Sequence, residues 1–136
     1  MAGIKTFSFP VRIYFEDTDS GGVVYHSNYL KFMERARTEW LRALGVEQDQ
    51  LREKEGLLLM VHSLSVQYRK PAKFNEALLV SVRLRHLGKA RVTLVQQVLR
   101  QQDVLCECEV IIACVDEARG KPSAFALPLK QAFEGV

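Results

Sequence analysis

The chain has 136 residues, of which 48% are hydrophobic and 26% charged, with a net charge of +3. That is the balance of a soluble globular protein with one core, and residues 1–136 are expected to form a single domain. The composition excludes a membrane-spanning helix, because no apolar run is long enough. It also excludes a nucleic-acid arm, because no lysine or arginine block is present, and the mild basic excess suits an anionic small molecule instead.

The first residues, "MAGIKTFSFPV", have neither the long apolar centre nor the cleavage site of a signal peptide, so a cytoplasmic location is expected. Residues 7–15, "FSFPVRIYF", are rich in β-formers. Val11, Ile13 and Phe15 alternate with Arg12 and Tyr14, which predicts a strand, and Pro10 suits an edge or a bulge. Residues 27–44 are predicted helical. Tyr29, Phe32, Met33, Ala36, Trp40, Leu41 and Leu44 recur at spacings of three and four, while Lys31, Glu34, Arg35, Thr38 and Arg42 take the other face. Ser27 or Asn28 can cap its start and Gly45 its end. The apolar stripe is wide, so other elements must wrap this helix. "VEQDQLREKEG" then reads as a short polar helix or turn ending at Gly56.

From residue 57 the texture becomes that of strands. "LLLMVHSLSVQYRKPA" is the first. "EALLVSVRLRHLG" alternates, with Leu78, Val80, Val82 and Leu84 on one face and Ser81, Arg83 and Arg85 on the other. "ARVTLVQQVLRQQ" follows a hairpin turn at Gly88 and Lys89. "DVLCECEVIIACVD" follows a turn at residues 101–103. The tail suggests a turn and a last helical turn. The expected architecture is α+β, one long helix against a five-stranded antiparallel sheet, with the last four strands in a meander. An open sheet edge then remains for a partner subunit.

Cys106, Cys108 and Cys114 are an even number of residues apart, so in a strand all three face one way. Their spacing is not that of a zinc site, and they read as reduced, packed thiols. His62 and His86 sit among strand residues and are expected to be structural or exposed.

One stretch breaks the regular patterning: "EDTDSGGVVYHSNY", residues 16–29, at the junction of first strand and helix. Its D-x-D-x-x-G start faintly resembles a calcium loop. That reading fails, because Gly21 would be the third ligand and Asn28 would stand where a bidentate glutamate is required. A plain turn accounts for Glu16, Asp17 and Thr18. It accounts less well for His26 and the apolar run before it. The chemical reading starts from the helix N-terminus, whose first amides have no internal partner and carry partial positive charge. Such amides can polarise a carbonyl that becomes an oxyanion. Gly21 and Gly22 allow close backbone approach. A nearby carboxylate can serve as nucleophile or as general base towards water. His26 can orient a group by hydrogen bonding. The assembly suits acyl transfer or thioester hydrolysis without a serine, a cysteine or a metal, and no cofactor is expected.

"YFEDTDSGGVVYHSNYLKFMERARTEWL" resembles the hotdog-fold acyl-CoA thioesterases of the 4-hydroxybenzoyl-CoA thioesterase type. Within them it is most similar to the branch associated with the bacterial Tol–Pal cell-envelope system, the YbgC-like branch. The likeness recurs weakly at "VQYRKPAKF" and "VIIACVD" and so covers most of the chain; "FNEA" after "RKPA" departs from the family's usual turn. The resemblance implies a hotdog fold and an acyl-CoA thioester hydrolase acting as a homodimer or homotetramer, with a link to Tol–Pal proteins. It carries the catalytic carboxylate to Asp19, the family histidine to His26 and the oxyanion donor to the amide around His26. Gly22, Tyr25 and Asn28 are expected to shape the substrate pocket, and Lys89 and Arg91 are candidates, among several basic residues, for the CoA phosphates. Two alternatives remain. One is a hotdog dehydratase acting on hydroxyacyl thioesters, although such enzymes usually draw the acid and the histidine from separate segments. The other is a non-catalytic acyl-thioester or envelope-binding module, which a buried Asp19 without a chemical task would make costly.

Overall fold

The computed structural model describes residues 5–136. The reading of the extreme N-terminus as free of a leader lies, for residues 1–4, outside them.

Five long strands and one short one form a single antiparallel sheet: β1 (Thr6–Arg12), β2 (Leu57–Tyr68), β3 (Ala77–Leu87), β4 (Arg91–Arg100), β5 (Asp103–Asp116) and β6 (Lys121–Pro122). Three helices accompany it: α1 (His26–Ala43), α2 (Gln48–Glu55) and α3 (Leu127–Glu134). The period-two pattern places Leu78, Val80, Val82 and Leu84 of β3 and Val92, Leu94 and Val98 of β4 in the core. Cys106, Cys108 and Cys114 join them from β5 and are fully buried. Burial pushes the Cys106 thiol up to about 12. Gln96 occupies an inward position that alternation would assign to an apolar residue. It is tolerated because both ends of its amide are satisfied: Arg37 donates to its oxygen (2.9 Å) and its nitrogen donates to the Met33 carbonyl (3.0 Å).

The α1 stripe of Tyr29, Phe32, Met33, Ala36, Trp40 and Leu41 is buried against this face, as the spacing predicts. Burying the larger of these side chains, such as Phe32, Met33 and Leu41, contributes roughly 1.5–3 kcal/mol each before the loss of conformational entropy. Gly56, with φ 66°, closes α2 in the left-handed conformation that glycine alone adopts without cost.

The expected meander is only partly right. The sheet order is β1-β3-β4-β5-β2, so β3, β4 and β5 form a meander while β2 lies at the far edge, paired with β5. Alternation states which face a residue takes and is silent on which strand lies beside it. The segment 69–76 carries the chain from one edge to the other, beneath the start of α1, where Val24 N–H donates to the Ala72 carbonyl and Val23 bridges Lys73. Phe15 is a second correction. It does not continue the inward row of Val11 and Ile13, because residues 15–17 turn into a short 3-10 helix and leave its ring 76% exposed, against Phe74. In the tail, the single helical turn expected is a full helix, α3, whose Phe133 stacks on Trp40 with centroids 5.4 Å apart.

Among the described residues, β2 has no strand beside its outer edge. Val61, Leu64 and Tyr68, on the helix-facing side by their register with β5, remain 43–47% exposed. The ladder shifts at His62, which is exposed, as is His86.

Candidate active site

Residues 18–24 make a small loop pinned at its base. Thr18 bridges Val24, Asp19 N–H donates to the Val23 carbonyl (2.9 Å), and Gly22 N–H returns to the Asp19 carbonyl (3.1 Å). Gly22 has φ +80°, so the turn requires glycine there. Gly21 serves differently. Its N–H donates to Asp19 Oδ1 at 2.8 Å, and a Cβ at position 21 would crowd that same oxygen at 3.2 Å. One Asp19 oxygen is thus held, and the other has no partner among the described residues.

Asp19 is exposed; the buried carboxylate of the pair is Asp17, 8% exposed. The expectation of a buried Asp19 is therefore corrected. Asp17 Oδ2 accepts the Tyr14 N–H (2.8 Å) and Oδ1 accepts Asn28 Nδ2 (3.1 Å), while the Asp17 carbonyl accepts the Tyr25 N–H (3.0 Å). Nothing in the local pattern links positions 17 and 28 across the loop, and sequence reasoning treated Asp17 as a turn residue.

The loop runs straight into α1. The N-cap is Tyr25, with no side-chain cap, rather than Ser27 or Asn28. The amides of His26 and Ser27 have no acceptor among the described residues, whereas Asn28 N–H already turns back to the Tyr25 carbonyl (2.9 Å). Two donors at the positive end of an 18-residue helix therefore stand open beside the Asp19 loop. The Asn28 side chain spends its donor on Asp17 rather than presenting it outward. His26 lies with its ring 4.5 Å from that of Tyr25 and 6.1 Å from that of Tyr68, all three exposed. Tyr29, beneath, receives the Ala72 N–H on its hydroxyl (3.0 Å), and burial raises its pKa.

Asp19, Gly22, Tyr25, His26 and Asn28 thus share one junction; Lys89 and Arg91 do not. Tyr68 pairs with Cys106 on β5, whereas Arg91 pairs with Ala113, seven residues further along, or about 23 Å at strand rise. Among the other basic candidates, Arg69 pairs with Glu107 and Arg85 with Glu109, while Lys70 lies 3.5 Å from Asp103. Lys73, Lys89 and Arg91 have no carboxylate partner among the described residues. Such exposed ion pairs add little stability. A cleft of about 240 Å³ opens beside α1 and the free edge of β2, lined by Glu34, Arg37, Trp40, Leu59, Val61 and Phe133. It begins eight residues, or about 12 Å, down the helix from His26. Burial lowers the pKa of the Arg37 guanidinium at its rim. Among the described residues, no group of three or more potential ligands could hold a metal ion, and no helix is long and apolar enough to cross a membrane.

Residues 13–133 match the sequence model of the Thioesterase-like superfamily. The chain is 44% identical over 127 residues to the acyl-CoA thioesterase YbgC of Haemophilus influenzae, covering 93% of each. It is 36% identical over 129 residues to the acyl-CoA thioester hydrolase YbgC of Escherichia coli, covering 94% of this chain and 96% of that one. Among solved structures, a probable thioesterase from Bartonella henselae superposes with a TM-score of 0.85 at 34% identity, covering 90% of this chain and all of the other. The antiparallel sheet curled about α1 is the hotdog fold.

Proposed function

Since this chain belongs to the Thioesterase-like superfamily, we infer that it hydrolyses the thioester of an acyl-CoA to a free acid and CoA. The observation that carries the reading is the junction itself: an exposed carboxylate with one free oxygen, beside two helix-terminal amides with no acceptor. We assign the amides of His26 and Ser27 to the thioester carbonyl, whose oxygen gains negative charge as the tetrahedral intermediate forms. Asp19 supplies the attack, either directly on the carbonyl carbon or by taking a proton from water. Its bond to the Gly21 amide fixes the carboxylate without occupying the second oxygen. The His26 ring, between Tyr25 and Tyr68, orients the ligand.

The working unit in this proposal is at least a homodimer. A second copy pairing antiparallel along the β2 edge would continue the sheet and cover Val61, Leu64 and Tyr68. The same pairing carries the partner's opposite sheet end, with the Lys89 and Arg91 positions, towards this chain's His26. Two basic side chains without carboxylate partners would then meet the polyanionic end of CoA. Light scattering at micromolar concentration should give at least twice the 15.5 kDa chain mass, and a monomer would remove this account of Lys89 and Arg91. A homotetramer remains compatible with it. The cytoplasmic location is carried into the proposal from the sequence reading, and the link to Tol–Pal cell-envelope proteins from the family resemblance.

Thiol release from short, long and aromatic acyl-CoAs tests the reaction. The protein's own thiols are buried and add little to a thiol-coupled readout. Tight binding across the panel with no release would instead identify an acyl-thioester binding module.

A further inference from the structure

Asp17 has no part in the chemistry assigned above, yet it is the most heavily bonded residue of the junction. A buried carboxylate is costly to desolvate and persists only where its oxygens are satisfied. Both are: one by the Tyr14 amide, two residues past β1, the other by the Asn28 side chain in the first turn of α1. Its carbonyl takes the Tyr25 amide, at the helix cap. These bonds tie together the two ends of the loop that carries Asp19, since Thr18 and Val24 bridge immediately beyond them. Residues 19–22 of the loop are exposed, and their turn supplies no other side-chain anchor to α1 among the described residues. Alongside the backbone bond from Tyr25 to Asp17 and the bridge between Thr18 and Val24, the Asp17–Asn28 bond is the one contact between side chains, among the described residues, that ties the Asp19 loop to α1.

We propose that Asp17 and Asn28 form a positioning pair that holds the Asp19 carboxylate in register with the α1 amides, and that Asn28 acts through this pair rather than by touching substrate. The proposal rests on the assignment of Asp19 above. The hydrogen bond has a polarity that can be reversed. Asn28→Asp sets two carboxylates facing one another at about 3.1 Å in a part-buried site. Adding Asp17→Asn restores one donor and one acceptor with the direction exchanged. The new amide oxygen at position 17 can still accept the Tyr14 N–H.

The experiment is steady-state acyl-CoA hydrolysis by Asn28→Asp, Asp17→Asn and the exchanged double variant, each also made with Asp19→Asn. Circular dichroism gives the folded fraction. Asn28→Asp should lower kcat by on the order of tenfold to a hundredfold, the scale of a misplaced reacting group, with KM within about twofold. The double variant should recover most of that loss. On the Asp19→Asn background, Asn28→Asp should cost almost nothing further, because there is no carboxylate left to position. A residue that only supports folding would multiply its loss on both backgrounds. Should Asn28→Asp not fold, Asn28→Ala removes the donor without adding charge, and the same comparison is made with it. The proposal is overturned if KM rises while kcat holds, if the exchange fails to rescue folded protein, or if the losses multiply. Failure of the Asp19 assignment is seen separately, as full turnover by Asp19→Asn alone.

Discussion

Asp19→Asn should lose two to four decades of kcat and keep its fold, the range expected for a positioned acid, base or nucleophile. The reason for both halves lies in the loop. Asp19 is exposed, and only one of its oxygens is engaged, by the Gly21 amide. An asparagine oxygen can accept that same bond, so the turn at 19–22 survives. What the amide cannot do is attack a carbonyl or take a proton from water. Thermal unfolding should therefore shift little while thiol release collapses. Turnover within a few-fold of the parent, on every acyl-CoA of the panel, would remove Asp19 from the mechanism.

The second large effect is expected at His26, and the structure sharpens how to obtain it. His26 is the first residue of α1, the one helical position where proline is well tolerated, because its N–H has no partner within the helix. Tyr25, before it, has φ −62° and ψ 134°, the extended conformation that a following proline prefers. His26→Pro therefore deletes one amide donor with little demand on the backbone. Removing one oxyanion donor costs on the order of a hundredfold to a thousandfold in kcat. His26→Ala keeps the amide and loses only the imidazole, whose contacts are the rings of Tyr25 and Tyr68. Its loss should be smaller, about 1–3 kcal/mol, and divided between kcat and KM. Kinetics on the two variants, with circular dichroism as a control, make the comparison. If His26→Ala is as inactive as Asp19→Asn with the fold intact, the imidazole carries chemistry and the amide is not the principal donor.

Much of this was readable from the sequence, because the deciding effects are local. Side-chain period determined the inward row of β3, the common facing of the three cysteines and the buried stripe of α1. Gly45 and Gly56 ended α1 and α2 because left-handed backbone is cheap only for glycine. The stretch 16–29 announced itself by breaking both periods, and the five site residues it suggested, Asp19, Gly22, Tyr25, His26 and Asn28, meet at one junction.

What the tertiary structure alone decided concerns partners distant in the chain. The position of β2 at the far edge follows from the path of residues 69–76 beneath α1, and no alternation of side chains encodes a neighbour. Lys89 and Arg91 fell at the opposite end of the sheet for the same reason: register, and not spacing, sets distance across strands. Phe15 turned outward because a 3-10 turn replaced the last strand residues, a switch that β-forming composition does not signal. Asp17 and Asp19, two residues apart and identical in kind, ended in opposite environments. One found the Tyr14 amide and the Asn28 side chain and could be buried, while the other found a single loop amide and stayed in water. Burial of a charge is decided by the donors that folding brings to it, and those donors come from elsewhere in the chain.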